Sequence, residues 1–341
     1  MNPSGRSRFR GIAWYLRRHA RRGRSILFAP IFWDRHRSLS RAVAVVGSAR
    51  SGTTWLGDLL AAGFKARIVF EPFHPVHVPE AARFGLMPYR RPDDEDPQFL
   101  EFCRSVFSGE LRGPWVDRQA SRILPAGRVV KCVRANLFAA WLKARLSDLQ
   151  VVVLVRHPMA VVLSRMGVGW DPAMDVEALL GNERLVRDHL RADFEWARSL
   201  RTEEERNALV WGIHHLVTFR QRHPLAGSEV VFYEDLLADP AAVLTDLYDR
   251  LGRPSARTPE RRLRRPSSTA RTPRAAKEGD IRGVSRGLGA ERAARVRAVV
   301  ERLGLDWVYG SGSGPTELAR GRLGRGGGPP PLEWHARRTS A

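Results

Sequence analysis

The chain has 341 residues, 43% of them apolar, which is enough for a sizeable core in one large domain or two small ones. Its two cysteines, Cys103 and Cys132, exclude a disulfide framework, and its scattered histidines (His74 and His77, His214 and His215) lack carboxylate or thiolate partners at ligand spacing, so no metal is expected. No stretch approaches the ~20 consecutive apolar residues that span a bilayer, and Gly11 to Leu16 is too short and mixed for a signal-peptide core, so cytoplasmic residence is the expectation.

In chain order, residues 1–40 read as an arginine-rich arm with interleaved Trp14, Tyr15, Phe32 and Trp33. Such an arm suits peripheral contact with an anionic membrane surface, or packing as a helix on the main domain. The domain proper is expected from Arg41 to about residue 310. Ala42–Val46 is an apolar, β-branched run of strand length that meets a turn at Gly47, and Thr54–Leu60 reads as the first turns of a helix. Arg67–Phe70, Arg128–Val133, Gln150–Val155 and Glu229–Phe232 read as further strands. Between them fall helical patterns over Gln98–Phe107, Asn136–Leu146, Val176–Leu200, Glu203–Arg222 and Pro240–Leu251. Continuous apolar strands alternating with helices predict an α/β fold: a P-loop-like parallel sheet of about four to five strands, flanked by helices in three α/β/α layers. Arg253–Gly289 reads as a long loop or lid, Ala290–Leu303 as a helix, and the Gly-, Pro- and Arg-rich residues 311–341 as a disordered tail.

The formal charge of +21 raises the question of a nucleic-acid partner. Lysine occurs only at Lys65, Lys131, Lys143 and Lys277, so the excess is almost all arginine, spread along the chain and densest at Arg6–Arg41 and Arg253–Arg286. That pattern does not build one nucleic-acid patch, although it suits a polyanionic small ligand.

The informative segment is Val45-Val46-Gly47-Ser48-Ala49-Arg50-Ser51-Gly52-Thr53-Thr54-Trp55. A strand feeds a glycine-containing loop that opens a helix, a geometry whose inward N–H groups and helix N-terminus hold a phosphate. Gly47, Gly52 and Thr54 match the spacing of the triphosphate-binding loop, but Thr53 stands where its lysine should be, and Arg50 brings a cation inside the loop. In the triphosphatases a later apolar strand ends in a Mg²⁺-binding aspartate; here Val151–Val155 runs into Arg156-His157-Pro158. The site reads as an anion site built without magnesium.

Arg50-Ser51-Gly52-Thr53-Thr54-Trp55 resembles the 5′-phosphosulfate loop of the sulfotransferases that use 3′-phosphoadenosine 5′-phosphosulfate (PAPS). Arg156-His157-Pro158 through Ser164-Arg165 resembles their 3′-phosphate segment, in which an Arg and a Ser eight residues later hold that phosphate, and Tyr233-Glu234-Asp235-Leu236 resembles a later family element. Arg in place of Lys before Ser-Gly-Thr-Thr, together with Phe70-Glu71-Pro72, is similar to the carbohydrate and tyrosylprotein branch and to bacterial members. The C-terminal cofactor-closing loop is matched only faintly, by Lys277–Gly283.

The resemblance implies PAPS as sulfuryl donor, no metal, and a small-molecule or glycan acceptor, with a carbohydrate or glycolipid hydroxyl preferred. It places Arg50 at the leaving oxygen, Ser51, Gly52, Thr53 and Thr54 on the 5′-phosphate, and Arg156 and Ser164 on the 3′-phosphate. Trp55 stacks on adenine or belongs to the core. Glu71, at the carboxyl edge of the sheet, is the candidate base; its other reading is a structural partner of a nearby arginine, and His74 and His157 are weaker candidates. Tyr233 touches the cofactor or fills the core, and Lys131 and Arg134 face an anionic acceptor or brace the loop. Two other classes stay open: a Mg²⁺-dependent nucleotide kinase or triphosphatase, and a non-catalytic nucleic-acid- or membrane-binding protein.

Overall fold

A computed structural model describes residue 34 and residues 37–221, 227–263 and 281–324. Five strands form one parallel sheet: β1 (Ala42–Val46), β2 (Arg67–Phe70), β3 (Arg128–Cys132), β4 (Gln150–Val155) and β5 (Glu229–Phe232), in the spatial order β2-β3-β1-β4-β5. The chain leaves β1 toward β3 and β2 on one side and later returns to β4 and β5 on the other. The strand order therefore reverses at β1, and in open α/β sheets that switch point is where a crevice forms at the carboxyl ends of the strands.

Alternate residues of each strand serve opposite layers. Val43, Val45, Val129, Val152 and Leu154 pack beneath α1 (Thr53–Gly63), whose Leu56, Leu59 and Leu60 are buried. Ala44, Val46, Val130, Val151 and Val153 face the other side. There they meet α2 (Pro97–Ser108), α3 (Ala139–Arg145), α4 (Pro158–Met166) and α6 (Glu203–Arg220); α5 (Ala173–Leu180) lies between the last two in the chain. Cover on both faces explains why the strands read as unbroken apolar runs rather than alternating ones. Cys103 and Cys132 are free and buried in this core.

At the amino edge of the sheet, Arg67 and Arg128 begin their strands with fully buried side chains. Arg67 donates to Asp34 and Asp117 at 3.1 Å each, and Arg128 donates to both oxygens of Asp34 at 2.9 Å. Buried guanidinium groups need such saturation, because an unpaired charge here costs several kcal/mol. Asp117 also accepts from Arg112 and from the Gly113 N–H. The network thereby fixes the loop that carries Trp115 to the opposite end of β2, where the Phe70 N–H donates to the Val116 carbonyl at 2.8 Å.

Several expectations need correction. Asp34 is part of the core network, so the domain reaches back beyond Arg41; residues 1–33 of the expected arm lie outside the described residues. Val176–Leu200 is not one helix: α5 stops at Gly181, Asn182 caps a new turn, and a π turn at Val186–Leu190 interrupts the remainder. The expected lid contains helices at Glu260–Leu263 and Ile281–Leu288, while residues 264–280 lie outside the described residues. The expected tail begins with a helix, Glu317–Leu323, capped by Thr316, with Ala319 and Leu323 buried and Arg320 paired with Asp235 at 2.8 Å. Its Gly- and Arg-rich composition concealed that anchor. Residues 325–341 lie outside the described residues. No described helix is long and apolar enough to cross a membrane.

Removing one partner of a buried ion network should cost far more than removing a surface one. We expect Asp117→Ala to lower the unfolding free energy by about 3–5 kcal/mol. Asp193→Ala, at the half-exposed Arg302–Asp193 pair, should cost less than about 1 kcal/mol. Urea midpoints for the two variants decide, and equal losses would contradict the assignment of the network.

Candidate active site

All five strands deliver a residue to one crevice at their carboxyl ends. β1 leads into the loop Gly47–Gly52, β2 into Glu71, β3 into Val133 and Arg134, β4 into Arg156, and β5 into Tyr233. The crevice holds about 840 Å³.

The loop is shaped by contacts that forbid other residues. A Cβ on Gly47 would lie 2.6 Å from the Leu154 carbonyl oxygen, and one on Gly52, whose φ is +98°, would lie 2.6 Å from the Tyr233 ring. The Ser51 N–H closes a turn on the Ser48 carbonyl at 3.0 Å. Arg50 takes φ +76° and Glu71 φ +45°; among the described residues, only Lys65 joins them as a non-glycine with positive φ. Left-handed backbone of this kind persists only where surrounding contacts impose it, and it concentrates at functional sites. α1 is capped by Gly52 without a side-chain bond, so its first-turn N–H groups lack intrahelical acceptors, and Thr53, Thr54 and Trp55 line the crevice at the positive end of the helix dipole.

Three residues expected on different anionic groups of one ligand, Arg50 at the leaving oxygen and Arg156 and Ser164 at the 3′-phosphate, meet here. The Arg50 Nε donates to the Ser164 Oγ at 3.0 Å, and the Arg156 Nη1 donates to the Arg50 carbonyl at 3.0 Å. Arg156 also lies 4.1 Å above the centre of the Tyr233 ring, so Tyr233 both caps the loop and braces a cation. Gly52, Thr53, Thr54, Trp55 and Glu71 line the same crevice. Ser51 does not: it is fully buried, its N–H is spent on Ser48, and its hydroxyl has no hydrogen-bond partner among the described residues. Trp55 has both expected characters. It packs edge-on to Tyr233 in the core at 5.7 Å and lines the crevice.

Glu71 is held from every side. Its N–H donates to the Lys131 carbonyl, and its carbonyl accepts from the Trp115 indole at 3.1 Å. One carboxylate oxygen accepts from the Lys131 Nζ at 2.6 Å; the other lies 3.4 Å from the Val133 N–H and 3.9 Å from Arg134. The expected pairing of Glu71 with an arginine is in fact chiefly with Lys131. Around it the crevice turns apolar and aromatic, with Phe70, Met87 and Trp115 on its wall. Val76, Trp170 and Met174 stand 75%, 47% and 67% exposed at the same crevice.

Sequence reasoning missed what holds these parts together. α6 presents Asn207, Trp211, His214 and Thr218 along one stripe, at helical spacings of four, three and four. Asn207 accepts from Arg165 at 2.5 Å, Trp211 donates to the Arg156 carbonyl at 3.0 Å, His214 Nδ1 bonds the Ser48 hydroxyl at 3.0 Å, and Thr218 donates to the Asn136 carbonyl at 3.2 Å. The polar residues on an otherwise apolar face of α6 were the available signal. A second tie is Glu234, which accepts from the His157 N–H at 2.9 Å and from Tyr309 at 2.8 Å. His157 is thus a structural cap rather than a base; burial lowers its pKa to about 4.

The profile of the sulfotransferase family matches residues 42–257. A search of the curated proteins returned no match. Among solved structures, the chain is similar to a sulfotransferase domain from the curacin biosynthetic pathway at 15% identity, covering 76% of this chain and 96% of that one, TM-score 0.38. It is also similar to a sulfotransferase of Alicyclobacillus acidocaldarius at 19% identity, covering 76% and 95%, TM-score 0.35. A sulfotransferase of Mycobacterium tuberculosis H37Rv matches at 16% identity, covering 77% and 76%, TM-score 0.38.

Three buried imidazoles set a pH dependence. Burial lowers His157 and His215 from 6.5 to about 4 and His214 to about 3. Below pH 6.5 the unfolded chain takes up protons that the fold refuses, so stability falls as pH drops from 6.5 toward 4 and is insensitive to these groups above about pH 7.5. Each should contribute a slope of about 1.4 kcal/mol per pH unit inside that window. Urea midpoints across pH 4.5–8 check this, and His215→Gln should remove about one proton from the slope.

Proposed function

The chain belongs to the sulfotransferase family, and on that premise we propose that it transfers the sulfuryl group of PAPS to a hydroxyl of a carbohydrate or glycolipid, without magnesium. The observation that carries the reading is the cluster of Arg50, Arg156 and Ser164 at the open end of the phosphate loop, where two guanidinium groups and a hydroxyl converge. That donor set fits a ligand with phosphates at the 3′ and 5′ positions of an adenosine. Cations stand where a magnesium site would need carboxylates, which supports a metal-free reaction over the kinase and triphosphatase readings.

PAPS, when bound, supplies an activated sulfuryl group on a phosphate leaving group. The first-turn N–H groups of α1 and the hydroxyls of Thr53 and Thr54 bind its 5′-phosphate end. Arg156 and Ser164 bind the 3′-phosphate, and the Arg50 guanidinium, fixed in orientation by its left-handed backbone, stabilises charge on the leaving oxygen. Trp55 and Tyr233 form the aromatic wall toward the base. Glu71 takes the proton of the acceptor hydroxyl at the carboxylate oxygen that Lys131 does not occupy, while Lys131 fixes the orientation of the carboxylate. The exposed Val76, Trp170 and Met174 favour an acceptor with an apolar body, a glycolipid rather than a free sugar.

Glu71→Gln keeps the shape of the side chain and removes its basicity. The variant should lose about 10²- to 10⁴-fold in kcat while its affinity for 3′-phosphoadenosine 5′-phosphate stays within threefold. Transfer of labelled sulfur from PAPS to glycolipid acceptors reads the first quantity, and equilibrium titration reads the second. Full activity in Glu71→Gln would remove Glu71 from the mechanism.

A further inference from the structure

The acceptor end of the crevice contains a cation that its surroundings leave unsatisfied. Arg134 stands two residues past the end of β3, lines the crevice and has a side chain 16% exposed. Among the described residues its buried Nε has no hydrogen-bond partner and its nearest acid is Glu71 at 3.9 Å. That carboxylate already accepts from Lys131 at 2.6 Å, so Glu71 and Lys131 neutralise each other and Arg134 remains in excess. Three neighbouring arginines of the crevice are committed: Arg50 to Ser164, Arg156 to the Arg50 carbonyl, Arg165 to Asn207 and Asp175.

The remaining charges around Arg134 do not cancel it. Asp175 is engaged by Arg165 at 2.6 Å, and Asp171 is exposed and accepts from the Ala173 N–H of its own loop. His74 and His214 stay neutral at pH 7, at about 4 and 3, lowered first by burial and further by Arg134 at His74 and by His215, Arg165 and Arg134 at His214. Arg118 adds a second guanidinium, lying 3.4 Å above the Phe70 ring and 3.9 Å above Trp115. A half-buried guanidinium whose hydrogen-bonding capacity is unmet calls for a planar anion, which it can bind through two parallel N–H···O bonds.

We propose that the acceptor carries a carboxylate or comparable anion beside its reacting hydroxyl, and that Arg134 binds this anion and determines specificity for it. The inference rests on the sulfuryl-transfer reading and narrows its acceptor class to an acidic glycolipid, an apolar body bearing an anionic sugar. Arg134 stands within 3.9 Å of Glu71, so an anion held by it places a neighbouring ring hydroxyl at the carboxylate that takes its proton. A sugar without the acid group leaves the guanidinium unpaired in the closed complex, and that penalty is the source of discrimination.

The test compares octyl β-glucuronide with octyl β-glucoside, which share the chain and the ring and differ by the carboxylate. The glucoside has a hydroxymethyl at C6 where the glucuronide has its carboxylate, so turnover is compared at the ring hydroxyls the two share; both are assayed as acceptors with PAPS and as ligands of the protein saturated with 3′-phosphoadenosine 5′-phosphate, using wild type, Arg134→Gln and Arg134→Lys. The expected result is a preference for the glucuronide of about ten- to hundredfold in kcat/KM or in affinity. That preference should collapse toward parity in Arg134→Gln and fall part-way in Arg134→Lys, which keeps the charge and loses the fork. Bisphosphate affinity retained in each variant shows that the fold and the cofactor end are intact. Bisphosphate binding with no glucuronide preference in wild type, in turnover or in affinity, would overturn this inference and leave the sulfuryl-transfer reading standing. An equal loss for both sugars in Arg134→Gln would overturn it too, by assigning Arg134 to the sulfuryl group. Absence of bisphosphate binding would overturn both.

Discussion

The site depends on one backbone carbonyl. Arg50 lines the crevice with its backbone in the left-handed region, and the Arg156 side chain donates to its carbonyl at 3.0 Å. Arg156 is fixed in turn by the Tyr233 ring beneath it and by the Trp211 indole on its own carbonyl. A strained residue of this kind costs about 1–3 kcal/mol, and the neighbours that impose the strain come from β4, β5 and α6. Geometry at the reacting end is therefore paid for by packing far from it, as preorganised electrostatic sites require.

The same logic extends to the sheet as a whole. The apolar sandwich of β1, β3 and β4 sets the height of the strands, and the switch in strand order opens the crevice above β1. At the far edge, the Arg67–Asp34–Arg128 network and Asp117 tie down the loop whose Trp115 reaches over to hold the Glu71 carbonyl. On the other side, α6 ties Ser48, Arg156 and Arg165 to a single rigid rod. Glu71, the loop Gly47–Gly52, Arg156 and Ser164 thus belong to different elements but to one continuous set of hydrogen bonds and ring contacts.

How much of this was legible depends on the physical range of each interaction. The strands could be placed within a residue because buried parallel strands advertise themselves as short β-branched runs, and Gln150–Val155 is the plainest case. That Arg50, Arg156 and Ser164 meet at one crevice was legible because their placement depends on local spacing, one turn of loop and two turns of helix. Lys131 was not legible as the partner of Glu71: the two are neighbours only through the β2–β3 register, in which Phe70 stands beside Lys131. The stripe on α6 was hidden for the same reason, since each of its polar residues has a partner between 42 and 166 positions away. The broken segment after Gly181 and the helix at Glu317–Leu323 show the converse. Helical periodicity overran a glycine stop, and a composition typical of disorder concealed an arginine that pairs with Asp235.

The central claim is that the loop of Arg50 and the Arg156–Ser164 pair together recognise an adenosine with phosphates at both its 3′ and 5′ positions. Calorimetric titration of wild type and Arg156→Ala with 3′-phosphoadenosine 5′-phosphate, beside ATP with and without Mg²⁺, measures it directly. The account predicts micromolar binding of the bisphosphate that does not need Mg²⁺ and that weakens about ten- to hundredfold in Arg156→Ala. No binding of the bisphosphate, or a clear preference for Mg·ATP, would contradict it.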